Sequence, residues 1–590
     1  MVLNSNKRPS NEVADYLIGR ISSKFDNWDD VRLPSLKTIE TLENAIYPNK
    51  GTSTSKIKMP EIYEIKETYK SHIWQSWFSS LDGMFDVKGR GRQDEQFAQQ
   101  QKAALIDTFR KINFVEKLEK GLDNWINKGE FIAFISWKTI TRKRRQKNIN
   151  YENIINPETQ EIEPVINSSF SIIDDVIYDG ADLTIIDPEN FVFDPHKMDD
   201  FDTCPKIYKS WATYEDIVEN KLYEGFLNSR IKDDLKKLGT PGDVDNYIAE
   251  NKLQDQREKI IKGDQIELLE YWGDIRLEDG TLKRNQVVTI AGRSHLIRME
   301  DNPFIINPFV FTAFMEDTST KRGISPLYVA LPLNEISTTI LNLQLEALKL
   351  IINKPYLAPK GSITGKINIK EGSIIEYDPA LMPREPIPLD FKDALIGWDF
   401  LKFFENKIES ATGIFKYMSG SPSDTKERTA TQFQGERAAS NTRIAKEIDF
   451  LDIKVKIPII ERIAELQANF NFDTQEVRVN KENNQMDFVL IDETIRQGNY
   501  EYVIGSSSDT LDRKEELKES LDLLFQFSNS PVGQQINWLK VFKWSFEQLG
   551  ASEPQKFINE APPPPQMLPD NNMLPPIPPE MGGIQSPEGF

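Results

Sequence analysis

Apolar residues recur at helical spacing over Asn11–Lys24, Ile39–Ile46 and Asp94–Lys128, so residues 1 to about 130 are predicted to be mostly helical. Trp28, Trp74, Trp77 and Trp125 fall within this part and are read as core anchors. From Phe131 to Trp137 the pattern becomes strand-like, and the basic run Arg142, Lys143, Arg144, Arg145 and Lys147 follows in an expected loop. Short basic runs are common on solvated surfaces; a nucleic-acid or capsid contact is the alternative reading. Between Ile172 and Tyr208 the order is strand, turn, strand, with Asp187-Pro188 and Asp194-Pro195 as turns around Phe191, Val192 and Phe193. Ile266–Trp272 and Gln286–Ile290 are two more strands, joined across Asp279-Gly280, a dipeptide suited to a tight hairpin.

The strongest helix pattern runs from Ser325 to Asn353. Ser325 is placed to cap it, Pro326 suits its first position, Pro332 should kink or restart it, and Lys354-Pro355 ends it. Beyond Pro332 the apolar residues form two stripes: Ile336, Ile340, Leu343, Ala347 and Leu350 on one face, Leu341, Leu345, Leu348 and Ile352 on an adjoining one. A helix apolar over so wide an arc has to be covered from two sides, by neighbours in the same chain or by other copies of it. A glycine- and proline-punctuated β module, 357–390, follows, then a helical pattern from Asp393 to about Thr412. After the turn Gly413–Asp424 a long helical pattern, Arg428 to Phe470, would extend about 60 Å with a kink at Pro458. A β passage at Gln475–Ile491, strand residues Tyr502–Ile504 and helices at Arg513–Phe527 and Gln535–Leu549 complete the ordered pattern. From Ala561 to Phe590 proline dominates without periodicity, and an extended, disordered tail is expected. The fold class predicted is α+β, mainly helical.

Composition narrows the function. A chain of 590 residues exceeds a single core. Its 72 basic and 92 acidic side chains leave a net charge of -20, which opposes a whole-surface grip on polyphosphate. The lone Cys204 excludes an intrachain disulfide framework and a cysteine-based zinc site, and fits a reducing compartment. Met1–Ser10 is polar, and no apolar run nears the ~20 residues of a membrane span, so neither secretion nor membrane insertion is expected. The stretch from Gly361 to Ile367 departs from a phosphate loop: it is one residue short between glycines and lacks the Ser or Thr after Lys366. His72, His196 and His295 share no metal-ligand spacing, and Asp174-Asp175 and Asp199-Asp200 read as solvated acids. No catalytic constellation, metal site or cofactor is expected.

The information therefore lies in the succession of elements. The stretch Gly323-Ile-Ser-Pro-Leu-Tyr leads into the apolar helix and Lys354-Pro-Tyr-Leu. The β insertion follows, and then Ala411-Thr-Gly-Ile and Thr429-Ala-Thr-Gln open the long kinked helix. Together with Ile186-Asp-Pro-Glu-Asn-Phe-Val-Phe-Asp-Pro195 and Glu270-Tyr-Trp272 upstream, this order resembles the portal proteins of tailed bacteriophages, and more specifically those of short-tailed phages.

The resemblance implies a portal fold of wing, stem, clip and crown. Residues 1–305 would be an N-terminal helical region and mixed α/β wing, 306–356 the stem helix entering the clip, and 357–390 the β-rich clip. Residues 391–412 would be the second stem helix, 413–428 the tunnel loop, 429–509 the long helix and wing β return, 510–560 the crown, and 561–590 the tail. It further implies a homo-dodecameric ring around a DNA channel at one capsid vertex, assembled in the host cytoplasm. The partners implied are the major capsid protein, the terminase large subunit, a tail adaptor or head-completion protein, scaffold or internal core proteins, and double-stranded DNA read without regard to sequence.

The tunnel-loop candidates are Lys416, Ser419, Ser421, Lys426 and Arg428, which would meet passing phosphates without specifying sequence. Subunit packing in the stem falls to Ile336, Ile340, Leu341, Leu343, Leu345 and Leu348, and motor or adaptor contact at the clip to Lys360, Lys366, Ile367, Lys370 and Ile374. A packaging ATPase or nuclease would need the phosphate loop or acidic cluster that the chain lacks. The remaining alternative is another head–tail structural or adaptor protein without channel function.

Overall fold

The computed structural model describes residues 9–46, 57–78, 81, 83–155, 162–238, 265–304, 306–352, 356–357, 380, 387–388, 397–415, 418, 442–480, 486–504 and 541. The chain divides into two compact units, Met1–Arg513 and Lys514–Phe590, and every element named here lies in the first. Among the described residues helix exceeds strand and no sheet closes into a barrel, an α+β organisation.

The N-terminal third comprises α1 (Asn11–Ile46), α2 (Glu61–Trp77), β1 (Asp86–Gly89), α3 (Arg92–Lys111) and α4 (Phe114–Lys128). The two helical patterns of the first 46 residues join into the single helix α1. Asp94–Lys128, by contrast, is two helices, because Asn113 adopts the left-handed conformation (φ 53°) and turns the chain between Lys111 and Phe114. The predicted anchors Trp77 and Trp125 are buried, with Trp74 and Trp28 packed at the edges of their cores.

Next come β2 (Glu130–Ile155) and β3 (Ile162–Ile185), paired antiparallel along their length. Here the expectation of a loop is corrected: Arg142–Lys147 lies inside β2, with Arg142 opposite Asp175, Lys143 opposite Asp174, Arg145 opposite Ile172 and Lys147 opposite Phe170. Charge had suggested a loop, but alternation with a β-rich partner strand decides the conformation.

Strands β4 (Phe191–Phe193), β5 (Lys206–Thr213), β6 (Gln265–Arg276), β7 (Leu282–Ala291) and β8 (His295–Asp301) form a five-stranded antiparallel sheet in sequence order. The hairpin at Asp279-Gly280 is as expected: Gly280 takes φ 85°, and Asp279 accepts the Thr281 amide. The Asp187 and Asp194 turns also hold, each side chain accepting an amide two residues on, from Glu189 and His196. One face of this sheet is covered by Ala14, Leu17, Ile21 and Phe25 of α1, at helical spacing, against Leu269, Tyr271, Val288 and Ile290. A second cluster sets Ile217 of α5 (Tyr214–Glu219) and Ile231 and Leu235 of α6 (Ser229–Leu238) against Ile266, Leu268 and Ile297. Each fully buried Leu, Ile, Val or Phe among these contributes about 1.5–3 kcal/mol.

Strand β9 (Phe309–Ala313) returns to pair with the base of β2, and the short pair β10 (Met315–Glu316) and β11 (Gly323–Ile324) leads to α7 (Leu331–Ile352). The predicted helix start is shifted. Ser325 accepts from Leu327 N and donates to Ile126 O ahead of a 3-10 turn at Tyr328–Ala330 that has no side-chain cap, and the α-helix begins only at Leu331. Two residue pairs, Tyr356–Pro388 and Leu357–Ile387 of β12 (Tyr356–Leu357) and β13 (Ile387–Pro388), close the neck of the β module. Beyond it lies α8 (Gly397–Thr412), packed against α7.

The long helix is described over 442–470. It is α-helical at 442–451, π-helical at Asp452–Lys456, and continues as α9 (Ile457–Phe470), with Pro458 in its first turn. The expected break at Pro458 is thus made by a π turn just ahead of it, where the missing proline amide is tolerated. Strands β14 (Gln475–Asn480) and β15 (Met486–Ile491), helix α10 (Glu493–Arg496) and β16 (Tyr500–Val503), paired with β1, complete the described part. The predicted crown and tail, 510–560 and 561–590, lie outside the described residues apart from Val541.

One buried junction ties these layers together. Glu130, 1 % exposed, receives Arg322 Nη2 at 2.9 Å and the Gly323 amide at 2.8 Å on its two oxygens. Arg322 Nη2 also donates to Phe191 O at 3.2 Å, and its guanidinium lies over the Phe193 ring. Gly129 (φ 78°) and Gly323 meet backbone to backbone, and a Cβ on Gly323 would fall 2.1 Å from Gly129 O. Beside them Lys128 bridges Asp187 and Glu189. Burial disfavours its charge, but the two carboxylates outweigh that and hold its pKa above the ordinary value. Arg322→Met leaves a buried carboxylate without its cation and is expected to lower stability by about 3–5 kcal/mol, whereas Arg144→Met, on an exposed pair, should change it by at most about 1 kcal/mol; urea denaturation of both variants checks this.

Candidate functional site

Helix α7 carries its polarity inside out. The residues buried within the single chain are Leu331, Asn334, Ser337 and Gln344, spaced on one face, whereas Ile336 is 44 % and Leu343 59 % exposed on the opposite one. Ser337 Oγ and Asn334 Oδ1 are buried without a hydrogen bond. The two sequence stripes separate accordingly. Ile336, Ile340, Leu343 and Ala347 form the outward row, with Ile340 and Ala347 half-buried; Leu341, Leu345 and Leu348 are half-buried toward the inner side, while Ile352 at the end of that stripe is exposed. Nearer the chain's N-terminus, the strip Ile57–Met59 is laid along α7: Ile57 and Asn342 exchange backbone-to-amide hydrogen bonds of 3.1 and 2.9 Å, and Met59 N donates to Thr338.

Helix α8 also turns apolar side chains outward, although its inner face is apolar as well. Leu401 and Ile408 point into the chain, while Phe400 and Phe403 are about half exposed, with Lys407 Nζ 5.5 Å from the Phe403 ring. Nothing in the sequence pattern had singled out these two phenylalanines. The helical hairpin therefore presents Ile336, Leu343, Phe400 and Phe403 outward from a chain whose own hydrophobic clusters are complete without them. Exposed apolar surface of this kind marks an association site.

The hairpin leads into a closed excursion. Thr412 Oγ1 and the Gly413 amide bond back to Ile408 O and Glu409 O, and Gly413 (φ 76°) makes the αL turn that ends α8. Arg443 Nη1 reaches Ser410 O at 3.4 Å, so the chain returns to its point of departure at the start of the long helix. His72 contacts Met418 O, holding the first residues of the excursion against α2. Of the sequence candidates, Lys416, Ser419, Ser421, Lys426 and Arg428 in this excursion lie outside the described residues, as do Lys360, Lys366, Ile367, Lys370 and Ile374 in the β module.

Where the long helix meets α2, Trp77 Nε1 donates to Asp452 Oδ1 at 2.8 Å, and Lys456, fully buried, pairs with the same carboxylate at 2.6 Å. Burial lowers the Lys456 pKa against the pull of Asp452. These residues pin the π turn.

A cleft of about 730 Å³ opens between the five-stranded sheet and α9, lined by Asp202, Lys206, Trp272, Arg284, Glu461 and Arg462 among others. Arg462 bridges Asp202 Oδ1 and Asn307 O, at 2.9 and 2.8 Å. Lys206 is 2 % exposed, its amine bonded to Phe201 O at 2.6 Å, and burial pushes its pKa down to about 8. Cys204 beside it is buried with its thiol pushed up to about 11, which favours the unreactive form. Among the described residues no group of three or more His, Cys, Asp or Glu side chains could hold a metal ion, and no helix is long and apolar enough to cross a membrane. The acids Asp174 and Asp175 stand on opposite faces of β3, as strand geometry requires.

The family model described as Phage SU10 portal protein matches residues 28–574, and the chain belongs to that family of phage portal proteins, structural components of the virion. No curated protein matches the chain.

The Lys206 amine gives a pH signature to the cleft. The folded amine loses its proton near pH 8, the unfolded one near 10.5, so between these values the unfolded chain binds more protons and stability rises with pH. Lys206→Met should remove this term. In urea midpoints taken from pH 7 to 9.5, the wild type is expected to gain on the variant above pH 8, with a slope of up to about 1.4 kcal/mol per pH unit.

Proposed function

We propose that this chain forms a closed homo-dodecameric ring at one capsid vertex, the channel through which the terminase motor packages DNA, to which the tail is joined, and from which the genome leaves. The observation that carries the reading is the outward apolar row of the hairpin, Ile336 and Leu343 on α7 with Phe400 and Phe403 on α8. A ring supplies the same neighbour to every copy, and a head-to-tail contact between two different faces closes when the rotation between copies divides the circle. Covering these side chains removes apolar surface from water at about 25 cal/mol per Å².

Within this reading α7 and α8 are the stem. The module between them, necked by β12 and β13, is the clip, whose candidates Lys360, Lys366, Ile367, Lys370 and Ile374 would meet the terminase large subunit and later the tail adaptor. Lys416, Ser419, Ser421, Lys426 and Arg428 would line the channel in the tunnel loop. The major capsid protein and scaffold or internal core proteins are the remaining partners. A net charge of -20 suits a conduit for DNA: an acidic wall repels phosphate, and a few cations give contact without a firm hold.

Negative-stain electron microscopy with solution mass is the test. The wild type is expected as rings with a central channel and dodecameric mass. Leu343→Asp places a carboxylate in the contact and should cut the ring fraction about tenfold or more while leaving the helical circular dichroism unchanged, because each ~1.4 kcal/mol lost is tenfold in association. Leu222→Asp, an exposed leucine on the turn after α5, should leave rings intact. Monomers from the wild type at all concentrations and with capsid proteins present would overturn the reading.

A further inference from the structure

Beyond Lys138 and Asp179 the strands β2 and β3 run on together to Ile155 and Ile162, a ribbon of roughly 60 Å. The third strand of their sheet, β9, pairs only with Glu130–Phe134, so the ribbon is two-stranded. A two-stranded ribbon is marginal in water unless one face is covered. This one is also apolar on its surface: Phe170 is 57 %, Ile172 74 % and Val176 53 % exposed.

Cross-strand partners share a face, so the register fixes what the ribbon presents. Val176, Ile172 and Phe170 stand in one column opposite Thr141, Arg145 and Lys147, with the Lys143–Asp174 pair between them. Arg145 lies over the Phe170 ring at 4.5 Å. One face is therefore an apolar column beside a cationic column, on a chain that is otherwise strongly acidic. Phosphate alone would satisfy the cations and leave Ile172, Phe170 and Val176 in water. A protein surface that is both apolar and acidic satisfies both columns.

Such a surface exists on the same chain. The hairpin β14–β15 buries Val477 and Ile491 against Ala104 of α3 and Ile495 of α10, and turns its other face out. Leu490 is 59 % and Phe488 64 % exposed there, Glu476 stands opposite Leu490, and Phe472 is exposed just before the hairpin. Asp473, Asp492 and Glu493, also exposed, flank the hairpin; among its described residues Arg478, opposite Phe488, is the one cation.

We infer that the β2–β3 ribbon of one copy docks on the β14–β15 face of a second copy, Phe170, Ile172 and Val176 covering Leu490 and Phe488 while Lys143, Arg145 and Lys147 meet Asp473, Glu476, Asp492 and Glu493. The inference deepens the ring reading and rests on it. The two faces are different surfaces of one chain, so the contact is head-to-tail and compatible with ring closure. The charges steer the encounter and set its register, and the apolar column supplies the hold.

The test uses full-length protein, unlabelled and 15N-labelled in equal amounts, mixed before assembly and coupled with a carbodiimide that joins lysine amines directly to carboxylates. Isopeptides of mixed isotope between Lys143 or Lys147 and Asp473, Glu476, Asp492 or Glu493 are expected. Phe170→Ser with Ile172→Ser should lower their yield by about fivefold or more without changing ring mass, and Lys147→Glu should be compensated by Glu476→Lys, with the link re-formed in reverse polarity. Rings that form with no mixed link, or with mixed links only to other acids, overturn the docking and leave the channel reading standing. Protection of Lys143 and Lys147 from acylation by double-stranded DNA, in place of the mixed links, assigns the ribbon to nucleic acid and overturns it as well. A chain that never exceeds monomer mass and gives no mixed link overturns both.

Discussion

A carboxylate buried as deeply as Glu130 needs a cation and hydrogen-bond donors within the same dry space, and Arg322 and the Gly323 amide supply both. That requirement brings segments nearly two hundred positions apart into register. Once Arg322 is seated, Gly323 must lie against Gly129, Ser325 must reach Ile126 O, and the chain can leave this corner in one direction only, into the 3-10 turn and α7. The same guanidinium bonds Phe191 O and covers Phe193, so the first strand of the five-stranded sheet is docked by the residue that leads the chain toward α7. A buried ion pair adds little net stability over an apolar replacement, but it is intolerant of misplacement. Here that intolerance holds the five-stranded sheet and the start of α7 to one shared corner.

The junction also explains why two separate motifs carried the family resemblance. Ile186 to Pro195 and Gly323 to Tyr328 are far apart in sequence, yet the carbonyl of Phe191 and the carboxylate of Glu130 share one arginine that stands directly before Gly323. Each motif is half of one site. A substitution in either would strand buried polar groups belonging to the other.

Legibility followed the range of the forces involved. Local chemistry was readable: the proline-flanked aspartate turns, the hairpin at Asp279-Gly280, the helix over 331–352 and the departure from α-geometry near Pro458 all rest on residues a few positions apart. The wide apolar arc of α7 was readable as an arc, but which stripe faces the chain was not, because Asn334, Ser337 and Gln344 line the inner face and invert the ordinary rule that polar residues point out. The basic run was misread as a loop because its strand character comes from β3, some thirty residues away, and its own residues have weak strand preference. Glu130 with Arg322, Phe400 with Phe403 and the buried Lys206 were invisible for the same reason: each owes its role to partners or exposure that only the tertiary fold creates.

The inverted polarity of α7 fits the proposed assembly. In a helix that ends its folding as a monomer, Ser337 Oγ and Asn334 Oδ1 buried without a hydrogen bond and Leu343 in water would both be unfavourable, and exchanging the two faces would relieve both at once. The arrangement is stable only if the outer face is later covered by something apolar. The short serine on the inner side suits the same end, since little bulk there lets α7 lie close to its own chain and project its large side chains toward a neighbour. The ribbon obeys this logic in a second place, with Phe170, Ile172 and Val176 outside and a strand pair too thin to bury them. Both features place apolar surface where a single copy cannot use it, so under the proposed ring the free energy that completes the fold is released on association.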